Sequence, residues 1–113
     1  MKLPSEALLL RIFIGESDKA GGKPLYEVIT EEARQRGMAG ATVLRGFLGF
    51  GATSRIHTSK VLRLSEDLPV VIEIVDSEER IEAFLPELDT LIEEGLVTLE
   101  KVRIIAYRPG PVK

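Results

Sequence analysis

The stretch Gly37–Gly51, GMAGATVLRGFLGFG, starts where a helix should stop and ends in a cluster of glycines. Between the two, Ala41 to Leu48 alternates like a strand: Thr42, Leu44, Gly46 and Leu48 point one way, Val43, Arg45 and Phe47 the other. Gly46, Gly49 and Gly51 then free the backbone for bends or for close approach by another group. A strand that ends in exposed backbone amides can hold an anion, although a hairpin that merely needs turn residues would carry the same pattern.

Upstream, Leu25 to Arg36 reads as a helix with Leu25, Val28, Ile29 and Ala33 on its buried stripe. Pro24 suits its first turn and Gly37 the position just past its end. Leu8 to Ile14 reads as a first strand, with Leu8, Leu10, Ile12 and Ile14 on one face and Leu9, Arg11 and Phe13 on the other. The intervening polar loop contains Gly22-Lys23, but Ser17 stands where a phosphate-binding P-loop needs its first glycine and Pro24 where it needs Ser or Thr. That motif is rejected, and Lys19 and Lys23 read as solvated loop residues.

Downstream, Ala52 to Ser59 is a short polar segment with Arg55 and His57 at its middle, and Lys60 to Leu64 reads as a short strand. Pro69 to Val75, PVVIEIV, is a strongly β-branched strand. Asp76 or Ser77 caps a second helix, Asp76 with Glu79 resembling a capping box. Ile81, Phe84, Leu85, Leu88, Leu91 and Ile92 form its stripe, Pro86 should kink or restart it, and Gly95 ends it. The last strand lies within Leu96 to Tyr107, with Val102, Ile104 and Ala106 on one face and Arg103, Ile105 and Tyr107 on the other.

The order is β-α-β twice over, in an α+β chain that reads as one domain over residues 1–113. In each half an arginine, Arg45 or Arg103, follows the helix-closing glycine by eight residues. This predicts a ferredoxin-like split βαβ sandwich (βαββαβ), an antiparallel sheet in the order 4-1-3-2 with both helices on one face. The opposite face would carry Arg11, Arg45, Glu73 and Arg103 among Leu9, Phe13, Phe47, Val71, Val75, Ile105 and Tyr107. In that order Glu73 lies between Arg11 and Arg45. Such a face is too apolar for water, so a second subunit should cover it.

Composition bounds the function. The chain has 113 residues, a net charge of -3, 44% hydrophobic residues and no cysteine. Disulfides and thiolate metal sites are excluded, and nothing builds the basic face of a nucleic-acid binder. The apolar run Ala7 to Leu10 is too short to span a bilayer and no leader peptide is visible, so the expectation is a cytoplasmic protein with no membrane insertion.

The segments GKPLYE, GATVLRGFLGFG, IHTSKVLRLSEDLPVVIE and GLVTLEKV resemble an uncharacterised, PII-like branch of the nitrogen regulatory PII superfamily, a family of unknown function. The likeness runs from Leu8 to Tyr107. It implies a homotrimeric signalling protein with nucleotide-sized clefts between subunits, ATP, ADP or AMP as ligand, no required cofactor, and a protein target whose identity is open. It places Thr42, Gly46 and Gly49 near such a cleft, and Glu73 matches a glutamate of the PII strand. The long regulatory loop of PII shrinks here to about Gly51 to Lys60 and has no tyrosine to modify. The phosphate-gripping loop of PII is replaced by EEGLVTLEK.

The candidate ligand-binding set is therefore Thr42, Gly46, Phe47, Gly49, Gly51, Arg55 and Lys60, the last two as phosphate partners flanking the glycine cluster. His57 is the only histidine and has no Cys companion, which is weak for a metal site. No catalytic constellation stands out. Two other readings remain open: a ferredoxin-like enzyme using His57 and Arg55, and a structural or metal-tolerance trimer without nucleotide.

Overall fold

A computed structural model describes residues 2–51 and 67–111. Its elements run β1 (Glu6–Gly15), β2 (Lys19–Ala20), β3 (Lys23–Pro24), α1 (Leu25–Gln35), β4 (Thr42–Arg45), β5 (Pro69–Asp76), α2 (Glu78–Leu91) and β6 (Leu96–Arg103). The four long strands form one antiparallel sheet in the order β4-β5-β1-β6, which is the expected 4-1-3-2 order read from the other edge. The fold is the α+β ferredoxin-like sandwich that the sequence predicts.

The core follows from two periodicities. Leu8, Leu10, Ile12 and Ile14 of β1 and Val70, Ile72 and Ile74 of β5 alternate onto one face. Leu25, Ile29 and Ala33 of α1 and Ile81, Phe84 and Leu88 of α2 come down on them at helical spacing. Phe84 is fully buried, and removing a side chain of this class from water stabilises by about 1.5–3 kcal/mol.

The ends of α1 are as its flanking residues dictate. Pro24 precedes the first turn, and Gly37 takes a positive φ of 70°. Gly37 N–H bonds to the Arg34 carbonyl and Met38 N–H to the Ala33 carbonyl, the paired closure that satisfies the last carbonyls of a helix. The polar loop after β1 is more ordered than expected. Gly21 and Gly22 both adopt positive φ, 56° and 81°, which lets β2 and β3 pair as a tight hairpin.

Four expectations need correction. First, Ser77 caps α2 by accepting from Arg80 N–H at 3.2 Å, so no capping box with Glu79 forms, and Asp76 is buried for another purpose. Second, α2 runs unbroken through Pro86 and stops at Leu91, ahead of Gly95. Third, β4 is only Thr42–Arg45, and its faces are the reverse of those expected. Thr42 and Leu44 sit opposite Glu73 and Val71 on the face away from the helices, whereas Val43 and Arg45 sit opposite the core residues Ile72 and Val70. Arg45 pairs with Glu16 at 2.9 Å and not with Glu73. Phe47 lies beyond the strand. Fourth, β6 ends at Arg103, and its register opposite Glu6 turns Arg103 away from the face that carries Arg11. Ile105 and Tyr107 therefore do not belong to the strand. The strand expected at Lys60 to Leu64 lies outside the described residues.

β4 stops for a local reason. Gly46 N–H bonds to the Pro69 carbonyl at 2.7 Å, and the chain then turns across the Pro69 ring. A Cβ on Gly46 or Gly49 would stand 2.8 or 2.9 Å from Pro69 Cγ, closer than side chains allow.

Candidate functional site

The sheet face opposite the helices carries Leu9, Arg11 and Phe13 of β1, Val71, Glu73 and Val75 of β5, and Thr42 and Leu44 of β4. The register adds Leu96, Thr98, Glu100 and Val102 of β6. At its centre Arg11 Nε donates to Glu73 Oε2 at 2.8 Å, and Arg11 Nη1 lies 3.8 Å from Glu100 Oε1. The hydrogen bond from Arg11 to Glu73 holds the guanidinium pKa above its ordinary value. This is the expected cross-strand pair, formed by direct opposition of Arg11 and Glu73.

A cleft lies at each end of this face. The first, of about 760 Å³, is lined by Leu9, Thr42, Glu73, Val75 and the segment Arg103 to Tyr107, with Ala39, Gly40 and Ala41 forming one wall. That wall is fixed by Asp76, which is fully buried. Asp76 Oδ2 accepts from Ala39 N–H at 2.8 Å and Oδ1 from Ser77 N–H at 2.7 Å. Arg80 bonds to the Gly37 carbonyl and lies 4.0 Å from the same carboxylate. From the other side, Tyr107 donates its hydroxyl to the Ala39 carbonyl at 3.4 Å. Ile104 N–H bonds to the Ser5 carbonyl at 2.6 Å, and beyond it the chain departs from the strand and lines the cleft.

The second cleft, of about 470 Å³, lies at the other end of the strands, among Phe13, Gly49, Phe50, Gly51, Pro69 and Gly95. Its rim is acidic, with Asp18, Asp67 and Glu94. Asp67 sits at a φ of 45° and holds the turn after β1: its Oδ1 accepts from both the N–H and the hydroxyl of Ser17, at 3.1 and 2.7 Å. Asp18 Oδ2 accepts from Gly15 N–H at 2.9 Å. Gly95 is required for close approach, because a Cβ there would meet the Phe13 carbonyl at 2.7 Å.

The candidate residues are thus divided between the two clefts. Thr42 lines the first; Gly49 and Gly51 line the second. Gly46 lines neither, and its N–H is committed to Pro69. Phe47 lines neither and is 81% exposed. Arg55, His57 and Lys60 lie outside the described residues. Sequence reasoning missed Asp76 as the anchor of the first cleft and Tyr107 as part of its lining. The available signals were an acid directly before a serine cap, and an aromatic residue entering a Pro/Gly tail. Among the described residues no group of three or more His, Cys, Asp or Glu side chains is placed to hold a metal ion. No described helix is long and apolar enough to cross a membrane.

The DUF190 family model (Uncharacterized ACR, COG1993) matches residues 7–104. A UPF0166 protein of Aquifex aeolicus (strain VF5) is 46% identical over 97 residues, 86% of this chain and 91% of its own length. A UPF0166 protein of Methanocaldococcus jannaschii is 38% identical over 95 residues, 83% of this chain and 87% of its own. Among solved structures, CPII from Thiomonas intermedia K12 bound to ADP and bicarbonate superposes with a TM-score of 0.56 at 21% identity, covering 91% of each chain. A PII-like protein of Thermus thermophilus superposes with a TM-score of 0.63 at 18% identity, covering 93% of this chain and 94% of its own.

Proposed function

The chain belongs to the DUF190 family and has the PII-like fold, and from that premise we propose that it is a trimeric, non-enzymatic regulator that binds an adenine nucleotide between subunits. One observation carries the reading. Thr42 and the Gly49–Gly51 segment line clefts at opposite ends of one sheet face, with the Arg11–Glu73 pair between them. Leu9 in one cleft and Phe13 in the other are four residues apart on β1, a span of about 13 Å. On a single chain a ligand touching both would lie flat across an open face. When the faces of two subunits meet, the Thr42 cleft of one can adjoin the Gly49 cleft of the next, and a single enclosed site results.

The same face supports the assembly. Phe13, Leu44 and Leu96 are 37%, 48% and 57% exposed, Phe50, in the cleft with Phe13 and Leu96, is 72% exposed, and Phe47 and Leu48 in the segment after β4 are 81% and 69% exposed. So many exposed large apolar side chains on and next to one face mark an interaction site. In the proposed site Thr42 offers its hydroxyl to the base, and Gly49 and Gly51 allow close approach. Arg55 and Lys60, which follow in sequence, carry the charge a phosphate needs. CPII crystallised with ADP and AMP is the reason for choosing adenine nucleotides. The bound state would be passed to a protein target, and the cytoplasm is the compartment in which such a regulator acts.

Calorimetry with ATP, ADP and AMP, paired with sedimentation, tests this reading. The expected result is a trimer at micromolar concentration that binds at least one of the three nucleotides well below millimolar. A stable monomer, or no binding below millimolar, refutes it.

A further inference from the structure

The outer edge of β6 lacks most of the devices that protect a sheet edge. The last strand of a sheet exposes a row of unpaired N–H and C=O groups, and proteins blunt it by shortness, proline, a bulge or a cover. β4, the edge on the other side, has only 4 residues. β6 has 8, contains no proline, and runs against β1 in unbroken register. Among the described residues β1 is its only strand neighbour. Its helix side is open as well. The helices pack on β1 and β5. Val97 and Leu99 stand opposite Ile12 and Leu10 on that same side, yet they are 39% and 44% exposed.

The charges on β6 fit the edge to another copy of itself. Two identical edges can pair antiparallel about a two-fold axis through the sheet, and each residue then faces one on the same side of the sheet. Centring the pair on Glu100 or on Lys101 would set like charges face to face, which is unfavourable. Centring it on Leu99 avoids both and aligns Leu96 to Val102. Leu99 then meets Leu99, Val97 meets the apolar stem of Lys101, Leu96 meets Val102, and the Thr98 hydroxyl faces Glu100. Centring on Thr98 also avoids like charges, but it aligns only Leu96 to Glu100 and sets those two against each other.

We propose that β6 is a self-recognition edge: two copies of the chain join their sheets through antiparallel β6 strands, with Leu99 on the two-fold axis. The join lies at the sheet edge and not on its free face, so it adds to an assembly built on that face and doubles its mass. One strand pair lies below the about 1,200 Å² of a stable interface, so doubling belongs to roughly hundreds of micromolar, and dilute protein keeps the edge open.

The chain has no cysteine, so single thiols can be placed along β6. Leu99→Cys, Val97→Cys and Lys101→Cys are treated at high concentration with a short bismaleimide, and sedimentation follows wild type and Leu99→Lys from micromolar to near-millimolar concentration. Leu99→Cys should cross-link and the other two should not. In this register the two copies of residue 97, or of residue 101, stand four residues apart along the strands, about 13 Å. Wild type should double its mass as concentration rises, and Leu99→Lys, which brings two ammonium groups together on the axis, should not. Equal cross-linking at all three positions reports random collision, and cross-linking at residue 97 or 101 alone reports another register; either result overturns the assignment. A wild-type mass that stays constant over the whole range overturns the self-pairing itself. None of the substituted residues lines either cleft, so nucleotide binding is decided separately from these outcomes.

Discussion

The central strands β1 and β5 and the edge strands β4 and β6 obey different rules. In β5 every second residue is buried, from Val70 to Asp76, and β1 buries Leu8, Leu10, Ile12 and Ile14. In β4 all four residues are exposed, and in β6 all but Val102. A central strand is held on both sides by neighbours and on one face by helices, so a slip of one residue would put its apolar set in water. An edge strand in the isolated chain has little to lose from either orientation. That is why the sequence pattern placed β1 and β5 on the correct faces and placed Arg45 and Arg103 on the wrong one. The lesson is that alternation reveals a strand, but only burial tells which way it faces.

The largest expected effect sharpens that contrast. Phe84→Ala, which empties the centre of the helix-covered core, should cost about 3–5 kcal/mol in urea unfolding. Leu99→Ala on β6, a residue 44% exposed, should cost under about 1 kcal/mol. Equal losses would mean that β6 is buried by a partner in solution and that the contrast belongs only to the isolated chain.

A smaller effect tests the link between the two classes. Asp76 ends a central strand yet anchors Ala39, three residues before edge strand β4. Asp76→Ala leaves the N–H groups of Ala39 and Ser77 without their acceptor and should cost about 2–4 kcal/mol. Amide exchange at Ala39 to Thr42 should speed up beyond what the global loss explains. Uniform acceleration across the whole sheet would mean that the edge strand is anchored in some other way.

The smallest effect lies on the free face. Arg11 and Glu73 are 39% and 32% exposed, so in a single chain Arg11→Met should change the stability little, and less still in high salt. The pKa of Arg11 is raised by its bond to the Glu73 carboxylate, so near neutrality the guanidinium stays charged and its contribution is lost only as the pH rises into strongly alkaline solution. Stability near neutrality should therefore be flat with respect to this group. A loss on Arg11→Met as large as that of a core truncation would show the pair to be buried in an assembly, since removing one member of a buried pair leaves an uncompensated charge.

Much of the site was legible in pieces. Gly37 announced a helix end and Gly49 a close approach, whose partner is Pro69; Gly95 read as the end of the second helix, whereas it is close approach to the Phe13 carbonyl that requires it. The strand order made a pairing of Glu73 with Arg11 possible, and the register sets the two directly opposite. The separation of Thr42 from Gly49 was not legible, since it depends on β4 ending after Arg45. Nor was the path of the chain after Arg103, where the alternating residues Ile104 to Tyr107 read as strand but leave the sheet.

What the sequence determined by itself is the order of elements, the sheet topology and the core, because period-2 and period-3.6 patterns of Val, Ile, Leu and Phe admit few ways to exclude water. What only the tertiary structure decided is which side of each edge strand faces the core, the anchoring of Ala39 by Asp76, and the presence of Tyr107 in a cleft with Thr42 and Glu73. These features depend on hydrogen bonds and contacts between residues as far apart as Ala39 and Tyr107, and local periodicity carries no information about such pairs.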